Sequence, residues 1–423
     1  RGTRTIDAGL EEEPEIRGRL LATIGWIQIQ LGMYDEAFST FERSLALRTS
    51  ALGPDHPDTL RSAFSAGASL VYLGRAEEAE ERLRPVFERQ QAVPGADHED
   101  PWETANYIAR AVHGTGDLEG ALRWHRLALE GRQAVLGGSA EPTLSSVANV
   151  GLALKDLGRF EEAEPYYRRA LDGYRSAVGA DHPETLSVQN NLGMLLLTLD
   201  RLDEAETVFR DTLELRDRVL GEAHPLTMGT VNDLASVLQL QGRLEEAEPL
   251  RRRVLERARA DLGADHPDVV RALNNMGSLL MTQGKFDQAE PVFREAADGA
   301  VRTFGAEHPN TLVVRGNLGQ ALCGRGRTVD GARILNEVVE AAGRVLPREH
   351  VITGFSVRKL GSCQFTAGHD EQAETTLLEA VEILDAAVGT DHGHTRDAVA
   401  ALVELYEGRG DVESAGRWRE RLP

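Results

Sequence analysis

Leu52-Gly53-Pro54-Asp55-His56-Pro57-Asp58-Thr59-Leu60 reads as the end of one helix, a turn and the start of the next. Proline at the first helical position costs no hydrogen bond, because that N–H has no acceptor within the helix. Asp55 or His56 then lies near the N-cap, and Asp58 sits in the first turn, where an acid suits the positive end of the helix dipole. The histidine returns at 98, 182, 224, 266, 308, 350 and 392, always 42 positions or a multiple of 42 from His56, with Ala140 in the one vacant slot. A phase held without insertion over most of the chain means one supersecondary unit of fixed size in tandem.

Two further ladders say what the unit is. Gly32, Gly74, Gly116, Gly158, Gly242, Gly284, Gly326, Gly368 and Gly410 share a slot in which Asp200 is the exception. Each follows an apolar-periodic stretch and precedes an acidic start such as Arg159-Phe160-Glu161-Glu162-Ala163, so it reads as a helix-ending residue with positive φ. Seven residues before it is a small slot (Gly25, Gly67, Ala109, Gly151, Gly193, Ala235, Gly277, Gly319, Gly361), and five after it an alanine slot from Ala37 to Ala415, with Gly331 in the eighth unit. Small residues twelve apart on two helices let their backbones approach closely. The expected fold is all-α, a right-handed superhelical solenoid of about ten antiparallel helix–turn–helix repeats. Residues 1–16 are expected to be the tail of a preceding element with a turn at Pro14, and 17–423 the repeat array. Val403 in the small slot and Trp418 near the end mark the last hairpin as a degenerate cap.

Composition narrows the function classes. A net charge of −21 argues against nucleic acid, which asks for a basic stripe. Acids such as Glu245-Glu246-Ala247-Glu248 open the second helix of each unit and read as solvation and helix-start chemistry. No apolar run approaches the roughly 20 residues of a membrane span, and no secretory pattern opens the chain. Cys323 and Cys363 lie in neighbouring units without Cys-x-x-Cys spacing, so two reduced thiols in a cytoplasmic protein are the expectation. The first methionine is Met33, inside the first hairpin, from which the sequence is expected to be a segment of a longer polypeptide.

The small–turn–Ala spacing, with Tyr167 and Ala170 following Ala163, resembles the tetratricopeptide repeat. The 42-residue period, Leu-Gly-x-x-His-Pro-x-Thr-Leu and Asn-Asn-Leu-Gly are similar to the kinesin light chain variety. The opening segment, through Leu31-Gly32-Met33-Tyr34-Asp35-Glu36-Ala37, is similar to the junction in bacterial serine/threonine protein kinases that carry such repeats after the catalytic domain. None of a kinase's own signature runs occurs in the chain, so the resemblance implies a non-catalytic C-terminal part, with a kinase or switch domain expected upstream.

Helical geometry selects a face. Successive residues step about 100°, so the residue two before the small slot points about 200° away from it, toward a groove lined by first helices. That slot holds Thr23, Ser65, Tyr107, Asn149, Asn191, Asp233, Asn275, Asn317, Lys359 and Ala401. Asparagine is a poor residue for a helix interior, yet its amide both donates and accepts, which suits the main chain of an extended peptide. The resemblance implies that asparagines at this slot contact peptide backbone. Three residues on, Arg110, Leu152, Met194, Ser236, Ser278, Gln320 and Ser362 offer shallow side-chain pockets. The candidate peptide site is therefore Tyr107, Arg110, Asn149, Asn191, Met194, Asp233, Asn275, Asn317 and Lys359. The plainer alternative is that the asparagines bond between adjacent first helices, whereas Asn190, Asn232 and Asn274, one residue earlier, favour the groove reading for the central units.

The expected partner is a protein or peptide, without cofactor, metal or catalytic residue. Two rivals stand beside it: a hydrolase using the recurring Asp/Glu-His pairs, and a passive spacer or oligomerisation array. Stacked helices lie roughly 8–10 Å apart, too far for histidines of successive units to share one ion. Capping explains their placement without chemistry. Trp102 reads as an inter-repeat plug or a partner contact. The irregular turns at Val93-Pro94-Gly95-Ala96-Asp97-His98 and Gly137-Gly138-Ser139-Ala140 suggest a hinge.

Overall fold

The computed structural model describes residues 13–93, 99–390 and 392–422. Among these residues there are twenty helices and no strand. They pair into ten hairpins: α1 (Pro14–Gln30) with α2 (Tyr34–Leu52), α3 (Pro57–Tyr72) with α4 (Ala76–Ala92), α5 (Asp100–Gly114) with α6 (Leu118–Leu136), α7 (Glu141–Asp156) with α8 (Phe160–Ala177), α9 (Pro183–Thr198) with α10 (Leu202–Val219), α11 (Pro225–Leu240) with α12 (Leu244–Leu262), α13 (Pro267–Thr282) with α14 (Phe286–Phe304), α15 (Pro309–Gly324) with α16 (Thr328–Val345), α17 (Val351–Thr366) with α18 (Asp370–Val388), and α19 (Gly393–Gly408) with the short α20 (Val412–Arg419). The first helix begins at Pro14, three residues ahead of the boundary read from the sequence; most of the preceding segment, residues 1–12, lies outside the described residues. The chain forms two compact units of five hairpins each, Arg1–Val219 and Leu220–Pro423.

Both punctuating ladders behave as their chemistry requires. The turn glycines have φ between +70° and +89°, and Asp200 holds the same left-handed turn at +58°. Each described ladder histidine is an N-cap: Nδ1 accepts the backbone N–H two residues on, at 3.2 Å for His56 and Asp58 and at 3.1 Å for His266 and Asp268. His182, His224, His308, His350 and His392 do the same. Ala140 keeps the extended N-cap backbone without the bond, while the other irregular turn, including His98, lies outside the described residues. The threonine of the motif ties the new helix to the preceding turn, as in Thr185 Oγ1 to Gly179 O and Thr311 Oγ1 to Gly305 O, both 2.7 Å.

Each small slot receives one large side chain sixteen residues later. A Cβ on Gly193 or Gly277 would stand 2.7 Å from the ring of Phe209 or Phe293, and Gly25, Gly319 and Gly361 face Phe41, Leu335 and Leu377 in the same way. The slot contains alanine where that partner is polar: Ala109 in the hairpin of His125, Ala235 in the hairpin of Arg251. Trp102 is a packing residue, half-buried, edge-on to Phe87 at 6.1 Å and seated on Gly131.

The first unit has an interior polar column. Arg48, Gln90, Arg132, Tyr174 and Arg216 share one second-helix slot and are all buried. Arg48 donates to Ser62 Oγ and Asp58 O, Arg132 to Ser146 Oγ and Pro142 O, and Gln90 accepts from Thr104 Oγ1 at 2.7 Å. In the second unit the same slot is Ala258, Ala300, Ala342 and Leu384. The acids opening second helices also do more than meet solvent: Glu164 pairs with Arg201, Glu248 with Lys285 and Glu290 with Arg327, each linking neighbouring hairpins.

The expectation of two separate thiols is corrected: Cys323 on α15 and Cys363 on α17 are joined by a disulfide, with their Cα atoms 5.6 Å apart. Their spacing of 40, two short of the repeat, places them on adjacent first helices. Gly331 fills the eighth alanine slot because a Cβ there would collide with Cys323 Sγ. No helix among the described residues is long and apolar enough to cross a membrane.

Candidate functional site

The slot two residues before the small position ranges from exposed at Thr23 and Asn191, through half-buried at Asn149, Asp233, Asn275 and Asn317, to buried at Ser65 and Lys359, and the two units use it differently. In the first unit Asn149 is half-buried and Asn191 exposed. Neither amide makes a side-chain hydrogen bond among the described residues. Leu152 and Met194, one turn further, are 39% and 36% exposed, so each open amide has an exposed apolar neighbour. Tyr107 is half-buried: its hydroxyl is bonded to that of Tyr72 at 3.0 Å, its ring stands edge-on to Phe64, and burial raises its phenol pKa. The exposed Arg110 lays its guanidinium over Tyr72 and Tyr107 at 4.9 and 4.8 Å. Ser65 is buried and bonds Arg61 O within its own helix, which removes it from the face.

In the second unit the asparagines are engaged with one another. Asn275 Nδ2 donates to Asn232 Oδ1 at 2.9 Å, and Asn317 Nδ2 to Asn274 Oδ1 at 2.7 Å. Asn232 Oδ1 also accepts from Arg251, whose pKa burial lowers to about 10, with the nearby charge of Asp233 opposing the shift. Lys359 closes the series by donating Nζ to Asn317 Oδ1. The position expected to reach a groove is here only 6% exposed, its side chain lying beside Gly316. Burial brings the Lys359 pKa down to about 7, with Arg358 adding to the shift, and Nζ lies 5.0 Å from the Phe355 ring centre. The plainer alternative weighed above, bonding between adjacent first helices, is therefore the arrangement of Asn275 and Asn317.

The residue one position earlier is the hub of these bonds, a role that sequence reasoning missed. Asn106 accepts from His125 Nδ1 at 2.9 Å and donates to Ser146 at 3.0 Å; Asn190 accepts from Arg216 at 3.2 Å. The signal was available: Asn106, Asn190, Asn232 and Asn274 share a phase, and the partners His125 and Arg251 interrupt a column that is otherwise apolar or aromatic through the first nine hairpins.

The Asp/Glu-His pairs do not assemble as dyads where their carboxylates are bonded. Asp55, Asp265 and Glu307 turn to Arg89, Arg302 and Arg344 at 2.7–2.8 Å, while the histidines' Nδ1 atoms are spent on caps.

Comparison with known proteins bears on the fold. No curated protein matches the chain. Among solved structures, a Rap protein complexed with Competence and Sporulation Factor is 14% identical, with 86% of this chain and 96% of that one covered and a TM-score of 0.57. The apo quorum sensor NprR from B. thuringiensis is 16% identical over 77% and 88%, with a TM-score of 0.57. A putative kinesin light chain repeat protein from Podosopora anserina is 21% identical over 48% and 96%, with a TM-score of 0.43. The tetratricopeptide repeat model matches residues 19–84, 66–134, 143–218, 226–300 and 268–344. With helix–turn–helix units in one unbroken phase beneath those matches, the chain belongs to the tetratricopeptide repeat family.

Proposed function

We propose that this chain is a non-catalytic interaction scaffold that binds an extended peptide or a partner's helix along its first-helix face. The observation that carries this reading is the pair Asn149 and Asn191, whose amides have no side-chain hydrogen bond among the described residues while Leu152 and Met194 stand exposed beside them. An amide with donor and acceptor both open can pair with a peptide main chain whatever its sequence, and adjacent apolar side chains supply contact area. In the second unit Asp233 keeps a place in the proposed site, whereas Asn275, Asn317 and Lys359 bring only those atoms their mutual bonds leave over. The Rap neighbour, which holds a factor, supports the reading at the level of fold.

The same proposal makes the array the regulatory or recruitment part of a longer bacterial protein, with a kinase or switch domain ahead of it, as the opening residues suggest. A cytoplasmic setting goes with it, and the Cys323–Cys363 disulfide stands against that setting; thiol labelling before lysis reads whether the bond is closed in cells. For the binding face, random displayed peptides are selected on the full chain, then measured against the double variant Asn149→Ala/Asn191→Ala. A loss of about tenfold or more supports the face. Selected peptides indifferent to both substitutions sink it, and a chain that selects none is a spacer.

A further inference from the structure

The second unit has a partly enclosed cleft in its packing, narrower than the open polar grooves elsewhere on that unit. A cavity of about 240 Å³ opens where α11, α12 and α13 meet, with Met228, Val254, Ala258 and Leu262 among its walls. Two departures from the repeat phase coincide there. Ala258 stands in the slot that Arg48, Gln90, Arg132, Tyr174 and Arg216 fill in the first unit, so a large side chain is cut back to a methyl. Gly229 stands in the slot of Arg61, Glu103 and Arg271, is exposed, and a Cβ there would meet no atom within 4 Å. Ala300 and Ala342 repeat the first change, but Arg271 and Val313 occupy the second slot in those hairpins. The sixth hairpin alone has both changes.

Protein interiors pack as densely as organic crystals, and this cleft, open to solvent at one side, has room for a guest that such packing would exclude. An apolar cavity of about 150 Å³ already holds benzene. Charge around the cleft is opposed in place: Arg257 pairs with Asp261 at 2.5 Å, Arg271 with Asp268 at 2.9 Å, and Asp233, also in the wall, lies near the charge of Arg251. A charged guest would have to break one of those pairs, so a neutral one is selected. Two features then favour an aromatic ring over an aliphatic chain. The Met228 thioether makes favourable contacts with ring edges, and the guanidinium groups of Arg257 and Arg271 can lie over a ring face.

We propose that this cleft is the seat of an aromatic side chain of the bound peptide. The identity of the occupant as part of a peptide rests on the scaffold reading above; binding of the ring does not, and can be measured without any partner. The chain has five methionines, so in full-length protein carrying 13C-methyl methionine the Met228 signal is assigned by the single substitution Met228→Leu. N-acetyl-phenylalaninamide is titrated in, with N-acetyl-leucinamide as the aliphatic comparison and Met194, in the other unit, as the internal control. The expected result is a saturable upfield movement of the Met228 methyl, about tenfold weaker affinity for the leucine compound, and no movement of Met194. Gly229→Leu and Ala258→Met, which fill the cavity from opposite sides, abolish the response while keeping the helical circular dichroism; agreement of either folded variant with this suffices. A Met228 signal that does not saturate, an equal response to leucine, or an undiminished response in the filled variants overturns the proposal. A cleft that takes the ring in a chain whose partners ignore Asn149 and Asn191 leaves this proposal standing and sinks the other.

Discussion

Asn317 Nδ2 donates to Asn274 Oδ1 at 2.7 Å across 43 residues of sequence, joining two neighbouring first helices. Asn275 makes the same bond to Asn232, whereas Asn191 in the first unit makes none among the described residues. A hydrogen bond of this kind contributes about 1 kcal/mol net. Asn275→Ala and Asn317→Ala should therefore each destabilise the second unit by about that much, with Asn191→Ala within about 0.5 kcal/mol of the parent. Urea unfolding followed by far-UV circular dichroism measures all three; equal losses would show that the two asparagine sets are not distinct.

Lys359 makes the second unit sensitive to alkaline pH. Its pKa is near 7 in the fold, against an ordinary 10.5. Between these values the unfolded chain carries a proton that the native state lacks, so stability rises with pH through the window and is lost as pH falls toward 7. The slope approaches about 1.4 kcal/mol per pH unit. Lys359→Met should flatten the rise, and a parallel pair of urea midpoints at pH 7.5 and 9.5 would show otherwise.

His125 acts at the acid end of the first unit. Buried among packed helices and bonded to Asn106, it has its pKa lowered to about 4, chiefly by desolvation, with Arg110 adding to the shift. The native imidazole is neutral at pH 7. As pH drops below the unfolded value of 6.5, the unfolded chain takes up a proton first, and stability declines until about pH 4, by about 3 kcal/mol in all. His125→Leu, the residue found at Leu83 and Leu335 in the same slot, should remove that slope. A His125 imidazole resonance, assigned by its loss in His125→Leu, that titrates near 6.5 in the folded protein would contradict it.

These three groups mark where the sequence stops being legible. A ladder in which every unit has the same residue for the same backbone reason, such as the turn glycines or the histidine caps, can be read because its cause is local. Arg48, Arg132 and Arg216 look like solvated residues on polar second helices, and only the neighbouring first helix shows that they are buried and bonded. The asparagine slot was found from its phase, but periodicity gives direction and not occupancy. Whether Asn275 meets a ligand or Asn232 depends on how closely two first helices lie. Cys323 and Cys363 were likewise read as unrelated because their spacing of 40 matches no local motif.

Their disulfide supports a testable claim of its own. It links α15 to α17 across the whole of α16, and closing a loop of that length stabilises the folded state by about 2–4 kcal/mol. Reduction should lower the thermal midpoint of the second unit, and Cys323→Ser/Cys363→Ser should start at the lower value and ignore reductant. A reduced wild-type chain melting with the oxidised one would show that the bond adds nothing.

Two helical glycines separate close packing from mere flexibility. Gly193 lies against Phe209, with 2.7 Å to the nearest ring atom from the place of a Cβ, whereas Gly343 on α16 has no atom within 4 Å. Both substitutions to alanine reduce the freedom of the unfolded chain and favour the helix by about 0.5–1 kcal/mol. At Gly193 that gain is overcome by overpacking, which costs about 1–3 kcal/mol when a methyl is forced into a filled site. Gly193→Ala should thus destabilise and Gly343→Ala stabilise, in the same urea titration. If both variants rose together, the small slot would be a matter of helix propensity, and the ring of Phe209 would not be what holds α9 and α10 at their distance.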